Sequence, residues 1–139
     1  SLQLEFWNKF NENAYVNDDF LQTFKLRKAY AQHWYDLSLG SSNYHLCMTA
    51  SRQKQELSIG IYIPDNKPQF NIFKNHSNEI EEALGCKLEW KEASKATRFL
   101  TTKDFDLDSK ELWGEALDWL YDMCIRFKNT LKPIDISLK

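Results

Sequence analysis

Trp34-Tyr35-Asp36-Leu37-Ser38-Leu39, then Tyr44-His45-Leu46-Cys47-Met48-Thr49, then Leu57-Ser58-Ile59-Gly60-Ile61-Tyr62-Ile63: between positions 34 and 63 the chain alternates apolar and polar side chains three times over. A period of two is that of a pleated strand with one buried face. Tyr35, Leu37 and Leu39 share a face, as do Tyr44, Leu46 and Met48, and Leu57, Ile59, Ile61 and Ile63. The connections, Gly40-Ser41-Ser42-Asn43 and Arg52-Gln53-Lys54-Gln55, are short and polar. Short links make antiparallel neighbours, so the stretch predicts a three-stranded meander with one apolar face. The opposite face then displays Trp34, Asp36, Ser38, His45, Thr49, Ser58, Gly60 and Tyr62.

Upstream, Leu4, Trp7, Phe10 and Ala14 step by three and four, a helical face, which Asn17-Asp18-Asp19 interrupts before Phe20, Leu21 and Phe24 form a second apolar turn. Downstream, Pro64-Asp65-Asn66 stops the third strand and Pro68 suits a first helical turn. Phe70 and Phe73, then Ile80, Ala83 and Leu84, mark two helical pieces, with Ser77 expected to cap the second and Gly85 to end it. Lys87 to Glu92 reads as a strand with Leu88 and Trp90 inward, and Ala96 to Thr102 as a fifth strand. Asp108 and Glu111 resemble a capping box for a long final helix whose apolar face is Trp113, Ala116, Leu117, Leu120, Cys124, Phe127 and Leu131. Pro133 ends it, and Ile134 to Lys139 reads as a tail. The expected fold is α+β, order α-β-β-β-α-β-β-α, with a mainly antiparallel five-stranded sheet and helices on one face.

The 139 residues suit one domain, 1–139, with one core. Four Gly and three Pro exclude a collagen-like or Pro/Gly-rich disordered chain. No apolar run reaches the roughly 20 residues that span a bilayer, so no membrane partner is read. The first residue is Ser, and no basic segment leads into an apolar one, so no signal peptide is read. Cys47, Cys86 and Cys124 form no CxxC and are odd in number, which suggests reduced thiols and a cytoplasmic location. The net charge is −2, but residues 25–103 carry twelve Lys/Arg against eight acids, and the two ends are acidic. A basic middle suits an anion-binding surface, although solvated charge also accounts for it.

Motifs that carry chemistry are sparse. His33, His45 and His76 have no His or Cys at metal-ligand spacing beyond the single His45/Cys47 pair, so no metal and no cofactor is expected. Gly40-Ser41-Ser42 lacks the context of a phosphate-binding loop. The element order is also that of PD-(D/E)xK nucleases, and Glu89-Trp90-Lys91 has the ExK spacing. That tripeptide falls after the helix rather than in the meander, and Asp36 is the only acid of the first strand. A nuclease would need Asp36, Glu89 and Lys91 to converge around a metal-activated water. No catalytic residue is assigned.

Several segments carry a specific resemblance. His33-Trp34-Tyr35-Asp36-Leu37-Ser38-Leu39-Gly40-Ser41-Ser42, Ile61-Tyr62-Ile63-Pro64-Asp65-Asn66, Leu84-Gly85-Cys86-Lys87-Leu88-Glu89-Trp90, Lys95-Ala96-Thr97-Arg98, and Trp113 with Trp119, Leu120 and Phe127 resemble, in order, the motifs of domain-of-unknown-function family 4268. The resemblance implies a prokaryotic domain that often follows a restriction-endonuclease-like segment, which would make this chain the C-terminal piece of a longer protein. Lys28-Ala29-Tyr30-Ala31 departs from the family, which tends to a Pro-containing stretch there. The resemblance supplies no catalytic residues; His33, Trp34, Lys95 and Arg98 match its motifs.

The expected function is that of a non-catalytic accessory domain, nucleic-acid-associated, in a DNA-processing or defence protein. Its binding residues are His33, Trp34, His45, Tyr62, Lys91, Lys95 and Arg98. Small residues, rings and cations on an open sheet suit a stacking platform. The alternative is a protein-interaction or dimerisation module, through the same face or through Phe6, Trp7 and Phe10 of the first helix, its partner another domain of the same protein or a second copy. Arg98 shares a strand face with Ala96 and Leu100, so it is expected partly buried, bonded to a carboxylate or carbonyl, its stem against a ring.

Overall fold

The apolar alternation builds the sheet it predicts. In a computed structural model describing residues 1–138, the elements run α1 (Leu2–Ala14), α2 (Asp18–Thr23), β1 (Trp34–Leu37), β2 (His45–Ser51), β3 (Glu56–Pro64), α3 (Lys67–Asn75), α4 (Ser77–Leu84), β4 (Glu89–Glu92), β5 (Ala96–Asp104) and α5 (Trp113–Leu131), the last preceded by a 3-10 turn at Lys110–Leu112. The five strands are all antiparallel to their neighbours, in the order β1-β2-β3-β5-β4. The α+β class and the alternation of helices and strands stand as expected. The tail was expected to run to Lys139, which lies outside the described residues.

The inward face stacks in register. Leu37, Leu46, Ile61, Phe99 and Trp90 form one cross-strand row, and Tyr35, Met48, Ile59 and Thr101 the next. The helices cover this face. Every residue expected on the inner side of α5 is buried, with Tyr121 and Met123 beside them. The α1 face is slightly rotated from expectation: Phe6 joins Trp7, Phe10 and Ala14 in the core and Leu4 is only partly covered. Phe6, Trp7 and Phe10 are each fully buried, which corrects their reading as an interface. They pack on Trp113, Tyr35, Phe20 and Tyr121 at ring-centroid distances of 4.8–5.6 Å, the spacing of favourable tilted and edge-to-face pairs.

Two helix starts differ from expectation. The residue before α4 is His76 rather than Ser77, and its Nδ1 lies 2.9 Å from Glu79 Oε2 one turn on. Asp108 does not cap α5. Arg52 takes its carboxylate through two hydrogen bonds, at 2.8 and 3.1 Å, and the turn is closed instead by Asp106, which accepts from Asp108 N–H and Ser109 Oγ at 3.0 Å. A bidentate guanidinium outcompetes a single backbone N–H for a carboxylate. Gly85 ends α4 as expected, at φ 75°, donating to the carbonyls of Glu81 and Glu82.

Gly60 sets the closeness of β3 and β5. A Cβ there would lie 2.6 Å from Leu100 Cα and closer still to the Phe99 carbonyl, both backbone. The space Gly60 leaves is filled by Leu100, its register partner on the outer face, which is therefore buried although it points away from the helices. Gly60→Ala has to push two central strands apart. It is expected to cost roughly 1–3 kcal/mol, read as a lower urea midpoint with an unchanged slope.

Candidate functional site

The outer face of the sheet is an ordered grid. One cross-strand row reads His45, Tyr62, Arg98, Lys91 across β2, β3, β5 and β4. The next reads Asp36, Cys47, Gly60, Leu100, Glu89, and the third Trp34, Thr49, Ser58, Thr102. Four of the seven expected binding residues thus stand side by side, an arrangement that required β5 to insert between β3 and β4. Neighbouring strands are about 4.8 Å apart, so the row spans roughly 14 Å.

A trough of about 750 Å³ lies over this face, walled by the β2–β3 hairpin and by Gln3 at the start of α1. Arg98, Lys91, Arg52, Lys54 and His33 line it, against the carboxylates of Glu56 and Glu89. Hydroxyls of Thr49, Ser58 and Thr102 run along it, the first two hydrogen-bonded to each other.

Arg98 corrects its expectation. It is exposed, and among the described residues it makes no hydrogen bond or ion pair. The nearest carboxylates on the grid are engaged elsewhere: Asp36 with His45 at 3.4 Å and Glu89 with Lys91 at 3.5 Å. Its strand neighbours Ala96 and Leu100 do share its face, but that face is the outer one, since Thr97 and Phe99 point to the core.

The other residues sort themselves. His33 lines the trough and meets Trp34 edge-to-face at 5.0 Å. Trp34 is 41% exposed and lines a separate narrow cleft beside β1. His45 and Tyr62 face each other at 5.4 Å, tilted by 32°. Lys95 stands apart, exposed in the β4–β5 connection outside the trough, where its carbonyl accepts the Asp65 N–H at 2.8 Å. The reading of the sequence passed over Arg27, Lys28 and Tyr30, exposed in the loop before β1, and the hairpin cations Arg52 and Lys54. The signal was the density of cations around a single tyrosine in Lys25-Leu26-Arg27-Lys28-Ala29-Tyr30.

Asp36 and Glu89 share a row but stand on the two outermost strands, four steps or roughly 19 Å apart. Ligands of one metal ion lie within about 2.6 Å of it, so Asp36, Glu89 and Lys91 do not form one metal site. Among the described residues no group of three His, Cys, Asp or Glu side chains is placed to hold a metal.

Asp36 is nonetheless unusual. Burial raises its pKa, but the His45 imidazole 3.4 Å away, the neighbouring Cys47 thiol and the charge of Arg27 outweigh that and hold the carboxyl below its ordinary value. Cys47 shows the converse: burial, with the Asp36 charge added, pushes its thiol up to about 12.

The chain matches the family described as "Domain of unknown function (DUF4268)" over residues 2–135. It belongs to that family, and the match takes in every element of the fold. No curated protein and no solved structure matches it.

Thiol chemistry checks the Asp36–Cys47 contact. At pH 8 Cys47 is expected to alkylate far more slowly than a free thiol, because almost none of it is thiolate. Asp36→Asn removes the neighbouring negative charge, lowers the thiol pKa and speeds the reaction, seen by mass spectrometry of the peptide containing residue 47. The folded-state carboxyl is depressed, so the stability Asp36 contributes is present at neutral pH and fades as pH falls through that lowered pKa.

Proposed function

We propose that this chain is a non-catalytic nucleic-acid-binding accessory domain of a cytoplasmic prokaryotic protein engaged in DNA processing or defence, and that the outer sheet face is its binding surface. The observation that carries the reading is the His45–Tyr62–Arg98–Lys91 row, whose Arg98 and Lys91 line the trough, with Arg98 exposed and unpaired among the described residues. A guanidinium held on a strand, with carboxylates nearby already engaged, is a ready phosphate ligand. Lys54 adds a further cation along the trough, where Lys91 is paired with Glu89, and the trough's hydroxyls offer further donors. Most of the binding energy in this reading is electrostatic and independent of sequence.

Fluorescence anisotropy with labelled oligonucleotides tests it. Binding is expected at low salt, with an affinity that falls steeply as salt rises. Arg98→Ala is expected to weaken binding, flatten the salt dependence by about one phosphate contact, and leave stability within about 0.5 kcal/mol, since the side chain is exposed and unbonded. No binding of single- or double-stranded oligonucleotides at low salt would overturn the reading. The competing reading, in which this face joins two copies or docks another domain, expects concentration-dependent association in light scattering and no oligonucleotide bound.

A further inference from the structure

The loop between α2 and β1 is irregular yet tied down at both ends. Tyr35, pointing inward from β1, accepts the Arg27 N–H through its hydroxyl at 3.0 Å, and that hydroxyl lies 2.7 Å from Asn11 Oδ1 and 3.0 Å from the Arg27 carbonyl. Asn11 Nδ2 donates to the same carbonyl at 2.8 Å. At the other end the indole of Trp7 donates to the Gln32 carbonyl at 2.9 Å. Ala29 is buried between these anchors. Core residues of α1 and β1 therefore fix a surface loop that carries Arg27, Lys28 and Tyr30.

The fixed loop forms one wall of a narrow cleft of about 70 Å³, lined by Arg27, Lys28, Tyr30, Trp34 and Asp36 among others. Tyr30 is 54% and Trp34 41% exposed, two large rings in water at one small cleft. The Lys28 ammonium stands 5.7 Å from the Tyr30 ring centre. Neither Arg27 nor Lys28 makes an ion pair among the described residues, and Asp36, whose Oδ2 lies 3.4 Å from His45 Nε2, lines the same cleft. His33, edge-on to Trp34, connects the cleft to the trough, which it also lines.

We infer that this cleft is a stacking subsite for an unpaired nucleobase, and that the ligand of the domain is therefore single-stranded. The inference rests on the proposed nucleic-acid reading and deepens it. Exposed rings supply the π-faces, Arg27 and Lys28 meet the phosphates on either side, and the strand continues past His33 to Arg98. Paired bases in a duplex keep their faces covered by their neighbours, so a duplex has no base to offer the cleft. Anchoring the loop in advance removes the ordering cost on binding.

The test compares a labelled oligothymidylate with an abasic oligonucleotide of the same length, which has the phosphates but no bases. The intact chain is expected to bind oligothymidylate at least tenfold more tightly than the abasic strand. Trp34→Ala and Tyr30→Ala, each checked for an unchanged circular-dichroism melt, are expected to bring oligothymidylate binding down toward the abasic level, about tenfold per stacked base. The Trp34 variant should also lose the tryptophan quenching that accompanies binding. Equal affinity for the two strands, or variants that keep the difference, would overturn the inference while phosphate binding survives. If neither strand binds at low salt, both the inference and the reading beneath it fall.

Discussion

Phe10 holds the two layers together. Its ring lies 5.0 Å from Tyr35 of the sheet, 4.8 Å from Tyr121 of α5 and 5.6 Å from Phe20 of α2, and its carbonyl accepts the Tyr121 hydroxyl. Four elements meet at one side chain. Because this cluster and its neighbours consume the large rings of α1, α2 and α5, the helices are committed to a single face of the sheet, and the other face keeps its polar grid open. Burial raises the pKa values of Tyr35 and Tyr121, so both stay neutral donors and acceptors within the cluster. The same cluster fixes the outer surface indirectly, since Tyr35 accepts a hydrogen bond from the loop that borders the cleft and Trp7 donates one to it.

The elements whose burial follows from periodicity were legible from residue order. The alternation of Leu57, Ile59, Ile61 and Ile63 and the spacing of Trp113 through Leu131 each record one buried side, and each is where it was expected. What periodicity does not encode is which strand lies beside which. The insertion of β5 between β3 and β4 places Arg98 between Tyr62 and Lys91, and no local pattern announces it. Arg98 was misjudged for a related reason. Leu100 looks like an inward residue, yet it is buried on the outer face only because Gly60 opposite it has no side chain. Capping failed similarly, since Asp108 answers to Arg52, which is remote in sequence.

The loop from Lys25 to His33 was unreadable by period because it has none. Its order comes from hydrogen bonds made by residues of α1 and β1, as in many surface segments that carry function on a rigid support.

The strand order has a consequence for solubility. An open sheet exposes the unpaired backbone of its first and last strands, and such edges invite pairing between molecules. Here the two outermost strands, β1 and β4, are also the shortest, at four residues each. β4 carries Glu89, Lys91 and Glu92, three charges in four positions, and Gln32 folds back to donate to the Trp34 carbonyl on β1. The long, apolar strands β2, β3 and β5 all lie inside. A chain this rich in aromatic residues thereby keeps its most adhesive segments out of reach of its neighbours in a concentrated solution.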